Sequence, residues 1–426
     1  MIEILRSSEV RPEALRTRQQ ALGENADRAA QEIIERVKNE GDRAVLELTE
    51  AFDGAKLSTL EVTGAEFEEA EAAVDPALKN LLARAAENIR AFHKNQLRAG
   101  FRTEGPGVVL GQLIRPLERV GLYVPGGTAS YPSSVLMNGI PPALAGVEER
   151  VMVTPPGRDG KIAPAILAAA RIAGVSRVFK CGGAQAVAAL ALGTESIPKV
   201  DKIVGPGNAY VAAAKRRVYG LVDIDMIAGP SEVLVIADDP RDAALIACDM
   251  LAQAEHDALA AAILITPCEE LAAAVRDRLE LELSKMPRSE IARKSIDING
   301  RIVLTGSLEE AVALSNVIAP EHLELCVDEP FPLLDKIKNA GSVFLGRSAP
   351  EALGDYWAGP NHTLPTGGAA RFSSPLSVDD FIKKTQYIHY DRAALDGAKD
   401  AVIRMAEAEG LYAHARSVAV RFEEAL

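Results

Sequence analysis

Two hydrophobic rhythms divide this chain. From about residue 24 to 98, apolar side chains return every three or four positions, as in EIIERVKNEGDRAVLELTEAF and LKNLLARAAENIRAFH. That spacing gives a helix one apolar stripe and leaves its charges on a solvated face. From 119 the pattern shortens to brief apolar runs, each closed by a Gly/Pro turn and followed by an alanine-rich helical stretch: GLYVPGG, VMVTPPG, VFKCGGAQA and KIVGPGNAY. A second set follows, SEVLVIADDP, AAILITP, RIVLTGS, HLELCVD and SVFLGR, alternating with helical segments such as PCEELAAAVRDRL and SLEEAVALSNVI. Alternation of this kind predicts βαβ units and parallel sheets, hence two α/β lobes. Helix starts agree: Asp239 precedes Pro240, and Ser307 with Glu310 fits a capping box. The tail after about 376 reads as an appended, polar helical unit.

Composition narrows the function classes. With 426 residues, 48% of them hydrophobic, the chain can bury several cores, since domains run to roughly 100–200 residues. Lys plus Arg number 47 against 60 Asp plus Glu, a net charge of -13 that repels a phosphate backbone and argues against nucleic acid as a partner. The opening MIEILRSSEV has no apolar signal core, and no run of about 18 apolar residues occurs, so a soluble cytoplasmic protein with no membrane partner is expected. Cys181, Cys248, Cys268 and Cys326 lack the C-x-x-C spacing of a zinc or redox pair and read as buried thiols. Six histidines make a short catalogue for any metal or acid-base site.

The glycine turns YVPGG, CGGAQ, GPGN and AGPS are expected at the carboxyl ends of strands, where backbone N–H groups can approach a phosphate. Loops between strands and helices need glycine anyway, and the nearest dinucleotide fingerprint, starting at Gly205, fails because Tyr210 stands where its third glycine belongs. Four polar groupings remain. Asp249, Gln253 and His256 form one stripe near the end of a helix, which by itself reads more readily as a wet face than as a site. Glu321 and His322 put an acid beside a base at the start of a strand, just after Pro320. The Gly/Pro-rich stretch from Gly354 to Gly368 carries Asp355, His362 and the chain's only tryptophan, and it reads as a long functional loop or a connector. Glu409 to His414 resembles an ordinary cap with a surface histidine. Cys326 is a weak candidate nucleophile among core-type neighbours.

Taken together and in order, GLYVPGG, CGGAQA, VGPGNAY, AGPSEVLVIAD, QAEHD, APEHLEL, GDYWAGPNHTLPT and EGLYAH resemble the histidinol dehydrogenase family from about 115 to 417. The resemblance implies an α/β fold of two Rossmann-like lobes with mainly parallel sheets, a helical N-terminal segment and a small helical C-terminal arm. Its expected boundaries are an N-terminal segment 1–23, a catalytic lobe formed by 24–118 and 231–375, a second lobe 119–230 and an arm 376–426. It further implies one zinc ion per subunit held by Gln253, His256, Asp355 and His414, with substrate contacts from these and from Ser231, His322, His362 and Glu409. Tyr123, Gln185 and Asn208 match positions that contact NAD, and Glu321 with His322 match the acid-base pair. The implied reaction is oxidation of L-histidinol through the aldehyde to L-histidine with two NAD, His322 acting as general base and Glu321 activating water. The implied assembly is a homodimer in which the C-terminal arm completes the partner's site. A related enzyme acting on another small polar alcohol, a zinc hydrolase and a non-catalytic binding protein are the alternatives.

Overall fold

The computed structural model describes residues 2–11, 15, 24–126, 130–287 and 289–423. In chain order, β1 (Glu3–Arg6) is followed by helices α1 (Glu24–Glu40), α2 (Asp42–Asp53), α3 (Gly64–Ala73) and α4 (Pro76–Lys94). Next come the hairpin strands β2 (Phe101–Gly105) and β3 (Val108–Pro116). A run of βα units starts with β4 (Arg119–Tyr123), α5 (Pro132–Ala145), β5 (Glu149–Thr154), α6 (Pro164–Ala173), β6 (Arg177–Lys180) and α7 (Gly183–Leu192). It closes with β7 (Lys202–Val204), α8 (Ala209–Val218) and β8 (Asp223–Ile224). A second run holds β9 (Glu232–Ala237), α9 (Ala243–Ala254), β10 (Ala261–Thr266), α10 (Glu269–Leu283), α11 (Ser289–Asn299), β11 (Arg301–Leu304) and α12 (Leu308–Ile318). It continues through β12 (His322–Cys326), α13 (Phe331–Leu334), β13 (Ser342–Leu345) and α14 (Glu351–Tyr356). The chain ends in β14 (Ile382–Tyr390), α15 (Arg392–Ala408) and α16 (Tyr412–Ala419).

Among the described residues the strands form two parallel sheets and one antiparallel sheet. The first is ordered β1-β11-β10-β9-β12-β13, the second β6-β5-β4-β7-β8. In each, the strand that opens the βα run sits centrally and successive strands are added outward on one side and then the other, the doubly wound pattern that leaves a crevice where the order reverses. The nine apolar runs marked out by patterning are all strands of these sheets. Their side chains are buried on both faces: in β9, Val233, Val235 and Ala237 join one core cluster while Leu234 and Ile236 join another. That is why EVLVIA is almost uniformly apolar instead of alternating with polar residues.

Three expectations need correction. Residues 24–97 do not accompany the lobe of 231–375: α1 and α2 pack on α7 and α8, and α3 and α4 on α5 and α6, so their apolar stripes belong to the core of the β4–β8 sheet. The N-terminal segment contributes β1, paired in parallel with β11, whereas residues 12–14 and 16–23 lie outside the described residues. Finally, the tail is not wholly helical, because β14 pairs along its length with β3 in the antiparallel sheet β14-β3-β2.

The chain divides into two compact units. Met1–Leu97 with Leu117–Phe381 form one, which contains both parallel sheets; Arg98–Pro116 with Ile382–Leu426 form the other, which contains the antiparallel sheet, α15 and α16. No described helix is long and apolar enough to cross a membrane.

Candidate active site

Glu321 and His322 are placed by a sharp turn. Helix α12 ends on Ala319, whose φ of 55° is the one positive value at a non-glycine among the described residues. A left-handed alanine costs about 1–2 kcal/mol, strain of the kind that persists where surrounding structure fixes a functional turn. Pro320 follows, and Glu321 and His322 enter β12 beside the start of β9. Both side chains converge on one β9 residue. The Glu232 N–H donates to Glu321 Oε2 at 2.9 Å, and the Glu232 carbonyl faces His322 Nδ1 at 3.2 Å. Glu321 and His322 are 5% and 4% exposed.

Burial sets their protonation in opposite senses. Loss of water pushes His322 down to about 4, so its imidazole is neutral near pH 7. With Nδ1–H directed at the Glu232 carbonyl, the lone pair resides on Nε2, which is buried and has no hydrogen-bond partner. Burial drives the Glu321 carboxyl well above its ordinary range, opposed by the Glu232 N–H and aided by the negative neighbours Glu232 and Asp355. Ser231, at the entry to β9, also hydrogen-bonds Glu321.

The stripe on α9 faces inward at Gln253, which is buried, while His256 lies just past the helix end and is exposed. Asp355 is not on a loop: α14 carries it one turn after Glu351, so both carboxylates share a helix face. Ligand atoms of His256, Glu351 and Asp355 all lie within 4.8 Å of one another. The Gln253 amide, in the orientation that satisfies both its ends, donates to Glu351 Oε1 at 2.5 Å and accepts from the Glu232 N–H at 2.7 Å. A histidine nitrogen with carboxylate and amide oxygens is a donor set that suits a divalent ion such as zinc. Three of the four ligands implied by the resemblance are thus neighbours. His414 and Glu409 belong to the other unit, where both are exposed, on α16 and at the end of α15. Behind Glu351, the buried carboxyls of Asp249 and Glu324 hydrogen-bond to each other, and burial raises both. Asp249 therefore serves this inner pair.

His362 is tied down at both nitrogens, Nδ1 lying 3.1 Å from the Asp355 carbonyl and Nε2 3.1 Å from Ser134 Oγ on α5. The stretch around it is anchored too, with Asn361 Nδ2 donating to the Met137 carbonyl and Thr363 Oγ1 to Asn138 Oδ1. A cavity of about 210 Å³ is bordered by His322, Asp355, His362, Asn361, Phe344 and Leu364. Ser134, Glu232 and Glu351 are not legible as site residues in the chain alone. Glu232 acts mainly through its backbone, and Glu351 reads as an ordinary first-turn acid.

Tyr123, Gln185 and Asn208 stand at the carboxyl ends of β4, β6 and β7, and β4/β7 is the point where the strand order reverses. The Gly183 N–H donates to the Tyr123 hydroxyl at 3.0 Å. Gln185 is buried, with Oε1 lacking a partner, and Asn208 caps α8 through the Tyr210 and Val211 N–H groups. Gly127 of YVPGG lies outside the described residues. AGPS differs from the other glycine turns: it leads into β9, so Ser231, Glu321 and His322 gather at the amino ends of their strands. Cys326 is buried in the apolar core and its thiol is pushed up to about 12, which removes the thiolate that a nucleophile needs.

The family model for histidinol dehydrogenase matches residues 16–422. A histidinol dehydrogenase of Bacillus cereus is 54% identical over 411 residues, covering 96% of each chain. One from Syntrophotalea carbinolica is 55% identical over 404 residues, covering 94% of each. The crystal structure of histidinol dehydrogenase from Elizabethkingia anophelis superposes with a TM-score of 0.92 at 41% identity, covering 98% of this chain and 97% of that one.

Proposed function

Since the chain belongs to the histidinol dehydrogenase family, we propose that it oxidises L-histidinol to L-histidine with two NAD, the last steps of histidine biosynthesis, at a zinc-dependent site. The observation that carries this reading is the neutral His322, its Nδ1–H held by the Glu232 carbonyl and its Nε2 lone pair unengaged. His322 Nε2 takes the hydroxyl proton as the carbinol carbon gives hydride to NAD, producing the aldehyde. Glu321, as carboxylate, takes a proton from the water that adds to the aldehyde carbon, while the protonated His322 returns its proton to the aldehyde oxygen, giving the gem-diol and a neutral His322. His322 then takes a proton from the resulting gem-diol as the second hydride leaves to a second NAD. No thioester is required, in keeping with the protonated Cys326. Gln253, His256, Asp355 and His414 would hold zinc, which when bound supplies a Lewis acid that fixes the substrate's nitrogens. Ser231, His362 and Glu409 complete the substrate contacts, and Tyr123, Gln185 and Asn208 face NAD.

His414 and Glu409 take part, in this reading, through a homodimer in which the arm of one subunit completes the site of its partner. Exposed apolar side chains on the second unit favour such an interface, among them Ile388 at 75%, Met405 at 67% and Tyr412 at 78%. Purified enzyme given L-histidinol and excess NAD should yield two NADH per histidine, and prolonged chelation should abolish turnover. Absence of NADH would remove the assignment. Heterodimers of an inactive Glu321→Gln subunit with an inactive His414→Ala subunit should regain partial activity; dead heterodimers would refute the shared site.

A further inference from the structure

We propose that Asn138 is a positioning residue for hydride transfer, its amide holding the loop that carries His362 in register with the end of β4 that carries Tyr123. Asn138 lies on α5 and is fully buried. Its Oδ1 accepts from Thr363 Oγ1 at 3.0 Å, and its Nδ2 donates to the Tyr123 carbonyl at 3.5 Å. Gly205, which opens the GPGN turn after β7, approaches the same two groups: its φ is 115°, and a Cβ there would collide with the Tyr123 carbonyl oxygen and stand 3.0 Å from Asn138 Nδ2. One amide therefore meets the ends of β4 and β7, on the proposed NAD side, and the loop on the substrate side. A buried amide costs free energy that an apolar side chain of the same size would not. What it adds is direction, because hydrogen bonds constrain angle as well as distance.

The loop is pinned on both sides of His362. Before it, Asn88 on α4 donates through Nδ2 to the Trp357 carbonyl at 2.8 Å, and Asn361 donates to the Met137 carbonyl on α5. Asn361 Oδ1 in turn accepts from the Thr363 N–H at 2.9 Å, closing a turn around His362. After it, the Gly229 N–H donates to Thr366 Oγ1 and the Gly367 N–H to Glu232 Oε1, both at 2.6 Å. Glu232 is the residue whose main chain orients Glu321 and His322. A line of contacts thus runs from the Tyr123 carbonyl through Asn138 and Thr363 along the loop to Glu232 and His322. Hydride moves only when the reacting atoms stand about 3–3.5 Å apart, and a displacement of about 1 Å costs on the order of 10²-fold in rate. The Thr363–Asn138 bond is the link in that line made by side chains alone, and removing its hydroxyl alters no group that the proposed reaction uses.

The inference rests on the proposed oxidation of L-histidinol, and the test keeps the two apart. NADH formation is followed in a single turnover at saturating NAD, with histidinol carrying hydrogen or deuterium on the carbinol carbon. Thr363→Val, which keeps the shape and loses the hydroxyl, should slow the first hydride phase by about 10–100-fold, and the slowed phase should carry a deuterium isotope effect. Thr363→Ser, which keeps the hydroxyl, should run at the wild-type rate. Asn138→Leu should be at least as slow as Thr363→Val, and the double variant no slower than Asn138→Leu, since both changes remove the same bond. Loss of folded protein would lower the amplitude of that phase and leave its rate alone, which separates positioning from a merely structural role. A wild-type rate in Thr363→Val, a slowed phase without an isotope effect, a serine variant as slow as the valine one, or additive losses in the double variant would overturn the proposal. Should Asn138→Leu fail to fold, the two Thr363 variants decide alone. If wild-type enzyme forms no NADH from histidinol, the proposed function falls and the inference with it; an active wild type with an indifferent Thr363→Val sinks the inference alone.

Discussion

Replacing His322 by asparagine should lower kcat for histidinol oxidation by about 10²–10⁴-fold, with a smaller change in KM, because general-base catalysis contributes on that scale. Asparagine can still donate to the Glu232 carbonyl and roughly fill the buried space, so the variant isolates the lost Nε2 lone pair from loss of packing. Steady-state NADH formation at saturating substrate is the measurement, with a thermal melt to show that the fold is intact. A fall of less than about tenfold would remove His322 from the base role. The same geometry sets a pH dependence. Burial holds His322 near 4, so the base form is already complete at neutral pH and the first hydride step should be flat there. Protonation should depress it only as pH falls toward that value.

Glu321→Gln should separate the two halves of the reaction. The first hydride transfer, followed in a single turnover with histidinol, should survive nearly intact, while oxidation of supplied histidinal should fall by on the order of 10²-fold, as water loses its base. In the unaltered enzyme burial raises Glu321, so its carboxylate form becomes more populated as pH rises above the ordinary carboxylate range. The aldehyde half-reaction should accordingly climb with pH while the alcohol half-reaction does not. Glu321→Gln should flatten that climb. Equal losses in both half-reactions, or a climb that persists in the variant, would show that Glu321 does not activate the water.

Much of this site is legible in the chain itself. QAEHD and APEHLEL pair residue types that do acid-base and metal chemistry, and their order along the chain matches one family. What no pattern reveals is the company these residues keep. Gln253 sits on a helix where a wet face is the readier reading, and its burial follows from Glu232 and Glu351, which approach it from elsewhere in the chain. Asp355 reads as part of a loop because Gly354 and Gly359 flank it, yet α14 forms and aligns it with Glu351.

The fold divides along the same line. Local patterning suffices for nine of the eleven strands in the parallel sheets, the helices between them and their caps, since burial on both sheet faces demands uninterrupted apolar runs and helix ends need their N–H groups satisfied. The choice of partners arises only in three dimensions. An amphipathic stripe states that α1 to α4 must bury one face and is silent on which sheet will cover it. Strand β14, KKTQYIHY after Ile382, is mostly exposed, so it carries no alternating apolar signal and exists through its backbone pairing with β3. Glu232 likewise orients both Glu321 and His322 through main-chain atoms, which every residue possesses and which no side-chain pattern can single out.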